Sequence, residues 1–600
     1  ILPEAFADGK INWDSLREAL GETLEDDAQE HFGLFWPGKR EARRLASLPS
    51  KGTLIPQPGQ GVDEDATHNL FIEGDNLEVL KLLQKSYAGR VKLIFIDPPY
   101  NTGNDFVYPD DYSEPLDAYL KRSGAVDDSG KLLTSNSRAS GRYHSNWLNM
   151  IYPRLLLARQ LLKEDGSIFI TIDNNEVHNL RMIMDEVFGQ ENFVDCVIWQ
   201  KKVSPSNDAK WFSSDHDYIL IYAKTKEIWR PNRLAMNERQ KGYYQNPDND
   251  PRGDWNSATY TCNKTKDERP NLYYAIVNPN TGEEIWPSET AVWKYAQDIH
   301  QQNVAENLIY WGKDGKGKPR LKIFLDGAGN IVPRSVWLYD DVGHTQEATS
   351  ELLKLFPKGG FDTPKPPRLI RRILELATNP SSQDIVLDFF AGSCTTSQAG
   401  IEQNLADEGD RKFIVVQLPE ITSESSMARQ TGFRTIADFG RERIRRVLKG
   451  VKSERQKQLG LGKQPDLGFS SYRLENSSFT EWQPYTERDT PQLELRFTQA
   501  ESPLVAGWTP ENLLAEILLL QGFPLDSRTR SLAQFKANRV FEITSEFCQH
   551  RLYVCLDPKI QPETVQAFKL RPEDILVTLD SALSDEAKIR LADQVNLKVI

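Results

Sequence analysis

The tetrapeptide Asp97-Pro98-Pro99-Tyr100 closes an apolar run at 91–97 (VKLIFID). An aspartate ending a buried strand sits at the carboxyl edge of an open α/β sheet, where such sheets place their ligands. The two prolines lock the backbone, remove two N–H donors and hold the Pro98 carbonyl in one direction. Tyr100 adds a flat aromatic face. Carboxylate, carbonyl and ring together suit a planar exocyclic amine: the two acceptors take its two N–H groups, and the ring stacks on the base. A bare Asp-Pro-Pro-Tyr also fits a proline turn with an aspartate cap. Asn101-Thr102-Gly103, which follows, weighs against that simpler reading.

Three other segments carry weaker signals. Residues 388–396 (DFFAGSCTT) run from a buried strand through small residues into a helix expected to start at Thr395. Such a turn lets a nucleotide-like cofactor approach the backbone, although with one glycine it also fits an ordinary strand-to-helix turn. Gly74-Asp75-Asn76 follows a strand and opens a helix, so Asp75 either meets a polar ligand edge or caps the helix. Thr363-Pro364-Lys365-Pro366-Pro367 precedes an amphipathic pattern and alone reads as a proline-rich helix start.

The elements that must position these residues follow from periodicity. Strands are expected at 69–73, 91–97, 167–173, 215–223, 385–390 and 412–417. Several are apolar throughout, as in a parallel sheet buried on both faces. Helices are expected at 76–86, at 147–162 with Pro153 as a kink, and at 367–377, where Leu369, Ile370, Ile373, Leu374 and Ala377 share one face. The alternation predicts an α/β doubly wound sheet. Residues 104–146 are polar and rich in Ser, Gly and Asp, and are expected to form a mobile loop. Residues 226–360 hold many aromatics among Asn, Gly, Pro and Lys, and read as a folded insertion. A linker is expected at 453–465. Beyond it, 574–579, 584–594 and 597–600 read as strand, helix and strand.

Composition narrows the class. In 600 residues, 39% apolar and 26% charged exclude a mainly disordered chain. No apolar run approaches the roughly 18 residues of a membrane span. The acidic first thirty residues are the opposite of a targeting peptide. A start at Ile1 and a last strand reaching Ile600 lead to the expectation that the termini are trimmed. Five cysteines without a C-x-x-C pair argue against a disulfide scaffold or zinc site and for a reducing cytoplasm. A net charge of −13 argues against a nonspecific polyanion binder, but placement matters more than the sum. Residues 199–240 hold eight basic and five acidic residues, and 436–458 hold eight and three. Such runs alone usually form solvated faces.

Taken together, the chain resembles the β-class amino-methylating DNA methyltransferases, most closely the modification subunits of type III restriction–modification systems. The resemblance rests on 69–80 (NLFIEGDNLEVL), 96–103 (IDPPYNTG), 167–176 (SIFITIDNNE), 216–224 (HDYILIYAK), 363–370 (TPKPPRLI), 388–396 (DFFAGSCTT) and 411–420 (RKFIVVQLPE). The catalytic half precedes the cofactor half, which is the β-class permutation.

The resemblance implies a permuted doubly wound Rossmann-like sheet with an inserted target-recognition domain and a C-terminal α/β domain. The expected boundaries are 1–60 (an N-terminal helical segment), 61–225 (the catalytic half), 226–360 (target recognition), 361–455 (the cofactor half) and 466–600 (a C-terminal interaction domain). It further implies S-adenosylmethionine against Phe390, Ala391, Gly392 and Ser393, with Asp388 nearby. Asp75 and Asn76 are expected at the adenine, Gln417 and Glu420 at the ribose, and Thr363, Lys365 and Pro366 at the methionine end. Asp97, Pro98, Pro99 and Tyr100 form the catalytic clamp, and no metal is required.

The implied activity is sequence-specific methylation of adenine N6 in double-stranded DNA on a flipped-out base. The implied setting is a cytoplasmic homodimer with a helicase–nuclease restriction partner and no membrane. Cytosine-N4 methylation and a non-catalytic DNA-recognition subunit are the alternatives. One departure is Cys394, where the family often has glycine. Cysteine fits there if φ is negative.

Overall fold

The computed structural model describes residues 6–7, 10–11, 33–103, 143–327, 329–361, 363–457, 465–480 and 503–600. Most of the polar stretch at 104–146, and 458–464 of the expected linker, lie outside the described residues. The rest forms two compact units, Ile1–Pro231 with Arg334–Ile600, and Asn232–Pro333.

The first unit is built on a ten-stranded sheet. In chain order its strands are β1 (Gly52–Pro56), β2 (Leu70–Glu73), β3 (Val91–Ile96), β4 (Leu162–Ile172), β5 (Phe193–Gln200), β6 (His216–Ala223), β7 (Val336–Trp337), β8 (Ile385–Asp388), β9 (Lys412–Gln417) and β10 (Ser470–Asn476). Their spatial order is β7-β5-β6-β4-β3-β8-β9-β2-β10-β1. From β4 across to β10 every pairing is parallel. β3 and β8 lie side by side at the centre, with Leu387 opposite Ile94. The order runs outward in both directions from this pair, so the crevice beyond their carboxyl ends is the topological switch point.

The central strands are apolar because helices cover both faces. Every residue of β8 and β9 is buried. Helix α1 (Asn76–Tyr87) buries Leu77, Val79, Leu80 and Leu83. Helix α2 (Tyr143–Leu161) continues through Pro153 and buries Trp147, Ile151, Leu155 and Ala158. Helix α3 (Val177–Phe188) follows β4. Helix α4 (Pro367–Ala377) has proline at its first position and buries Leu369, Ile370, Ile373, Leu374 and Ala377, the face periodicity predicts. Truncating one such residue, Ile373→Ala, is expected to cost about 2–5 kcal/mol. Helices α5 (Thr395–Asp407) and α6 (Ile436–Lys457) complete the cofactor half.

The strands that the pattern does not reveal are the peripheral ones. β5 alternates between buried and open positions, β10 is polar (SSYRLEN), and β7 has two residues. β7 and β10 take their hydrogen bonds from strands far along the chain, and β5 takes its own from β6, which follows it, and from β7. β7 pairs with β5, which places residues from Arg334 onward with the first unit. β1 pairs with β10, so the N-terminal segment expected to be helical carries a strand as well as the helix Lys39–Ser47. The C-terminal region forms a five-stranded sheet from Arg528–Ser531, Phe541–Thr544, Leu552–Cys555, Ile575–Thr578 and Asn596–Val599. The last two strands flank the helix Asp585–Ala592, the expected strand, helix and strand.

The second unit has a three-stranded sheet of Ile309–Tyr310, Arg320–Phe324 and Trp255–Thr259, a short hairpin of Ile276–Val277 with Glu284–Ile285, and a two-stranded pairing of Thr261–Cys262 with Val292–Trp293. Its core is Tyr260, Ile276, Trp293 and Ile309. Buried Lys322 bonds Asp248 and Asp250. The aromatics of this folded insertion divide between core and surface. Trp255, Tyr260 and Trp293 are buried, and Tyr243 and Trp286 are the exposed ones. A unit of this size has few residues with which to fill a core, and large rings fill it efficiently.

Candidate active site

Asp97 follows β3 and Asp388 ends β8, so the two carboxylates emerge at one edge from adjacent parallel strands. The two segments that the sequence singles out therefore share one crevice mouth. Thr171, near the end of β4, donates to Asp97 Oδ1 at 2.5 Å. Lys365 Nζ lies 2.5 Å from Asp97 Oδ2 and 4.9 Å from the centroid of the Tyr100 ring. A primary ammonium therefore occupies the place between carboxylate and ring that the sequence assigns to a target amine.

The turn beyond Asp97 is held from three sides. Trp147 Nε1 donates to the Pro99 carbonyl at 2.7 Å. The Pro98 carbonyl takes no hydrogen bond among the described residues. Asn101 adopts φ +58° and donates to buried Glu176 at 2.5 Å, which also contacts His144 at 2.6 Å and Asn179 at 2.8 Å. Tyr143 donates to the Asn101 carbonyl. Burial, with Asp97 and Asp217 nearby, pushes the Tyr100 hydroxyl well above its ordinary range. Tyr100 is therefore a neutral ring at any working pH.

The glycine turn sits one strand over. Gly392 has φ +51°, and a Cβ there would lie 3.3 Å from the Phe361 ring. Its N–H donates to Gln417 Oε1 at 2.6 Å, and the Ala391 N–H donates to the Val416 carbonyl at 3.2 Å. Both contacts tie the turn to β9. Ser393 Oγ accepts from buried Arg443 at 2.7 Å. Arg443 also donates to Thr395 Oγ1 at 2.7 Å and Gln398 at 2.9 Å, so it braces the turn from beneath. Burial lowers its guanidinium to about 10.

Asp388 is buried, accepts from Thr396 Oγ1 at 2.5 Å and from the Phe390 N–H at 3.0 Å, and is still pushed up to about 7 by burial. Asp97 nearby adds to that rise. Burial likewise raises Glu420 to about 7. Two raised acids at neighbouring strand ends favour a cationic or hydroxyl-bearing ligand.

Asp75 and Asn76 join the same cluster from β2. Asp75 Oδ1 caps α1 at the Glu78 N–H, 3.1 Å, and Oδ2 faces buried Arg154 at 3.2 Å. Asn76 accepts from Arg154 at 2.5 Å and donates to the Phe389 carbonyl at 2.6 Å. Both Asp75 oxygens are engaged, so an adenine contact there uses a second lone pair. Thr363 is exposed at φ +48°, and Pro366 is buried as the N-cap of α4. Cys394 has φ +60°, so the negative φ that would suit it is not adopted.

Sequence reasoning misses Thr171, Arg154, Arg443 and Glu176, whose partners lie tens of residues away or more. Thr171 and Glu176 have a local signal, since both fall within 167–176. Among the described residues, no group of three or more His, Cys, Asp or Glu could hold a metal. No described helix is long and apolar enough to cross a membrane.

The DNA methylase family profile matches residues 91–417. The type III restriction-modification enzyme StyLTI Mod subunit of Salmonella typhimurium is 37% identical over 475 residues, covering 78% of this chain and 70% of that protein. The EcoPI Mod subunit of Escherichia phage P1 is 34% identical, covering 74% and 73%. The EcoP15I Mod subunit of Escherichia coli is 32% identical, covering 79% and 76%. Matched by that profile over 91–417 and by these subunits over most of its length, the chain belongs to the DNA methylase family, alongside the modification subunits of type III restriction–modification enzymes.

Proposed function

We propose that this chain is the S-adenosylmethionine-dependent DNA adenine-N6 methyltransferase of a type III restriction–modification system. The observation that carries the reading is the Lys365 ammonium seated on Asp97 and over Tyr100, because an extruded adenine presents its own amine to the same carboxylate and ring. The cofactor fits the neighbouring turn. Gly392 leaves room that a Cβ would fill, and the raised acids Asp388 and Glu420 face a cation and ribose hydroxyls. Gln417, Ala391, Phe390 and Ser393 shape that cradle, and Asp75 with Asn76 closes its adenine end. The cofactor, when bound, supplies an electrophilic methyl group on a sulfonium.

The chain's own residues do the rest. The Pro98 carbonyl and Asp97 accept the two N–H bonds of adenine N6, which favours a tetrahedral nitrogen and localises its lone pair. Tyr100 stacks on the base. Asp97, through Oδ1 or Oδ2, would take the one proton that the amine gives up on methylation. Alignment and charge placement lower the barrier, with no covalent enzyme intermediate. Lys365 must leave Asp97 for the amine to enter, and the carboxylate at the cofactor's methionine end is its natural next partner.

The finer assignments belong to the same proposal. The protein works as a cytoplasmic homodimer with a helicase–nuclease partner, and its five cysteines are free thiols, as a reducing compartment keeps them. The unit Asn232–Pro333 reads the target sequence, and replacing it with a relative's is expected to change the sequence methylated. Incubation of unmethylated plasmid with tritiated cofactor tests the activity. The wild type is expected to label adenine N6, and Asp97→Ala is expected to keep cofactor binding and lose transfer. Label on cytosine N4, or wild-type turnover in Asp97→Ala, overturns the reading.

A further inference from the structure

The loop between β5 and β6 carries the two most exposed large apolar side chains among the described residues. Phe212 is 96% exposed and Trp211 is 84% exposed. The loop is built at its base. The Lys201 and Lys202 N–H groups donate to the Asp215 carbonyl at 2.9 and 3.3 Å. The Ser206 N–H donates to Ser213 Oγ at 2.8 Å, and Ser213 Oγ in turn donates to Asp215. The Ala209 N–H closes a turn on the Ser206 carbonyl at 3.1 Å. These bonds clamp the two arms together and leave Lys210, Trp211 and Phe212 at the tip.

Position and charge indicate what covers the tip. Gln200 pairs with His216, and Ile172 with Tyr218, so the loop leaves the sheet at the edge that carries Asp97. It lies two to three strands from β3, about 10–14 Å at the usual strand spacing. A duplex presented to Asp97 lies within that reach, since its major groove is about 12 Å wide. From 201 to 217 the chain has Lys201, Lys202 and Lys210 against Asp208, Asp215 and Asp217, but Asp217 pairs with Lys201 at 2.5 Å and Asp215 takes the Ser213 hydroxyl at the base, which leaves Lys202 and Lys210 as the cations towards the tip. Lys210 Nζ lies 5.6 Å from the Trp211 ring centroid, so cation and ring point together. A stable protein–protein contact would favour an apolar patch with few charges. Flat rings among lysines suit stacked bases between phosphates.

We propose that Trp211 and Phe212 form a wedge that enters the base stack of the bound duplex and fills the gap left by the flipped adenine. Extruding a base breaks stacking on both sides, and an inserted ring restores part of it. Lys202 and Lys210 hold the flanking phosphates. This inference rests on the methyltransferase reading and adds how the duplex is opened.

The test uses the full-length protein and a target site read first from methylation-sensitive sequencing of DNA from an expressing host. Trp211→Ala/Phe212→Ala is expected to keep its fold, as melting temperature shows, and its affinity for S-adenosylmethionine. It is expected to lose at least tenfold in kcat/KM on a fully paired duplex. That loss should shrink to threefold or less on a duplex with an abasic site opposite the target adenine, where flipping costs little. Unchanged kcat/KM on the paired duplex overturns the wedge while leaving the methyltransferase reading intact. An equal loss on both duplexes also overturns it, because a plain contact would behave that way. A double variant that changes only dimerisation or capture of a partner protein overturns it as well. If the wild type binds cofactor but methylates no duplex, the enzymatic reading fails, and photo-crosslinking to 5-iodouracil DNA still decides the wedge. Crosslinks at Trp211 or Phe212 support it, and crosslinks confined to other residues overturn it.

Discussion

Lys365 Nζ and Asp97 Oδ2 are 2.5 Å apart, although 268 residues separate them in the chain. The lysine precedes α4 and the aspartate follows β3, so a contact between two ends of the fold fills the catalytic clamp. This relationship makes Lys365 both a competitor of the target amine and a guide for the carboxylate.

Lys365→Met tests that double role. Removing the ammonium frees Asp97 for the amine, so affinity for target DNA is expected to hold or rise up to threefold. Loss of the partner for the cofactor's carboxylate is expected to weaken cofactor affinity at least tenfold, about 1.4 kcal/mol or more. Separate equilibrium titrations of DNA and cofactor check the two signs. Equal weakening of both would show that the lysine only props up the turn.

Arg154 is buried and holds both Asp75 and Asn76. Arg154→Met leaves Asp75 buried with its helix cap alone. Breaking a buried pair from one side costs about 3–5 kcal/mol. Denaturant unfolding is expected to show a loss of that size, with cofactor affinity falling because Asn76 no longer aligns with Phe389. A double variant, Arg154→Met with Asp75→Asn, is expected to recover part of the stability, since the unpaired charge is gone.

These partners mark the limit of what the sequence discloses. Asp97 to Tyr100 are legible because four adjacent residues carry the whole clamp, and a local apolar run tells where the strand ends. The α4 face is legible because helical periodicity is local. Arg154 reads as an ordinary polar residue of α2, because nothing nearby indicates that a turn 79 residues earlier will bury it. The aromatics of 226–360 are legible as a folded insertion, but which of them fill its core and which face outward is not. Exposure is a property of the packed unit and has no sequence period.

The raised acids give a pH signature. Asp388 moves from its ordinary 3.8 up to about 7, chiefly through burial. A carboxyl raised on folding contributes stability that is fully present below its unfolded value and is lost as pH rises through its folded value. The ligand-free protein is therefore expected to lose stability between about pH 4 and pH 7, with Glu420 acting in the same direction. Asp388→Asn should flatten part of that slope in unfolding curves taken at several pH values. Cofactor binding has the opposite sign. A cation favours the ionised carboxylate, so affinity is expected to fall as pH drops below about 7, and to fall less in Asp388→Asn. A stability profile that is flat from pH 4 to pH 7 in the wild type would exclude a raised Asp388.

Cys394 and Gly440 form a coupled pair. Cys394 has φ +60°, a conformation that costs a residue with a side chain about 1–2 kcal/mol. Its thiol is buried, and burial pushes it far above the ordinary range, so it packs as a small apolar group. A Cβ placed on Gly440 would meet the Cys394 sulfur at 2.7 Å and the Gly392 carbonyl oxygen at 3.2 Å. The sulfur therefore points towards α6. Cys394→Gly relieves the strained φ and gives up the buried sulfur, so the two effects nearly cancel. Stability is expected to change by less than about 1 kcal/mol, with cofactor affinity unchanged. Gly440→Ala alone is expected to destabilise by about 1–3 kcal/mol through overpacking. In the double variant most of that loss should vanish, because the sulfur it strikes is absent. A cycle of four unfolding measurements reads the coupling. Additive losses would show that the two residues do not touch, and a weakened cofactor site in Cys394→Gly would show that the thiol faces the ligand after all.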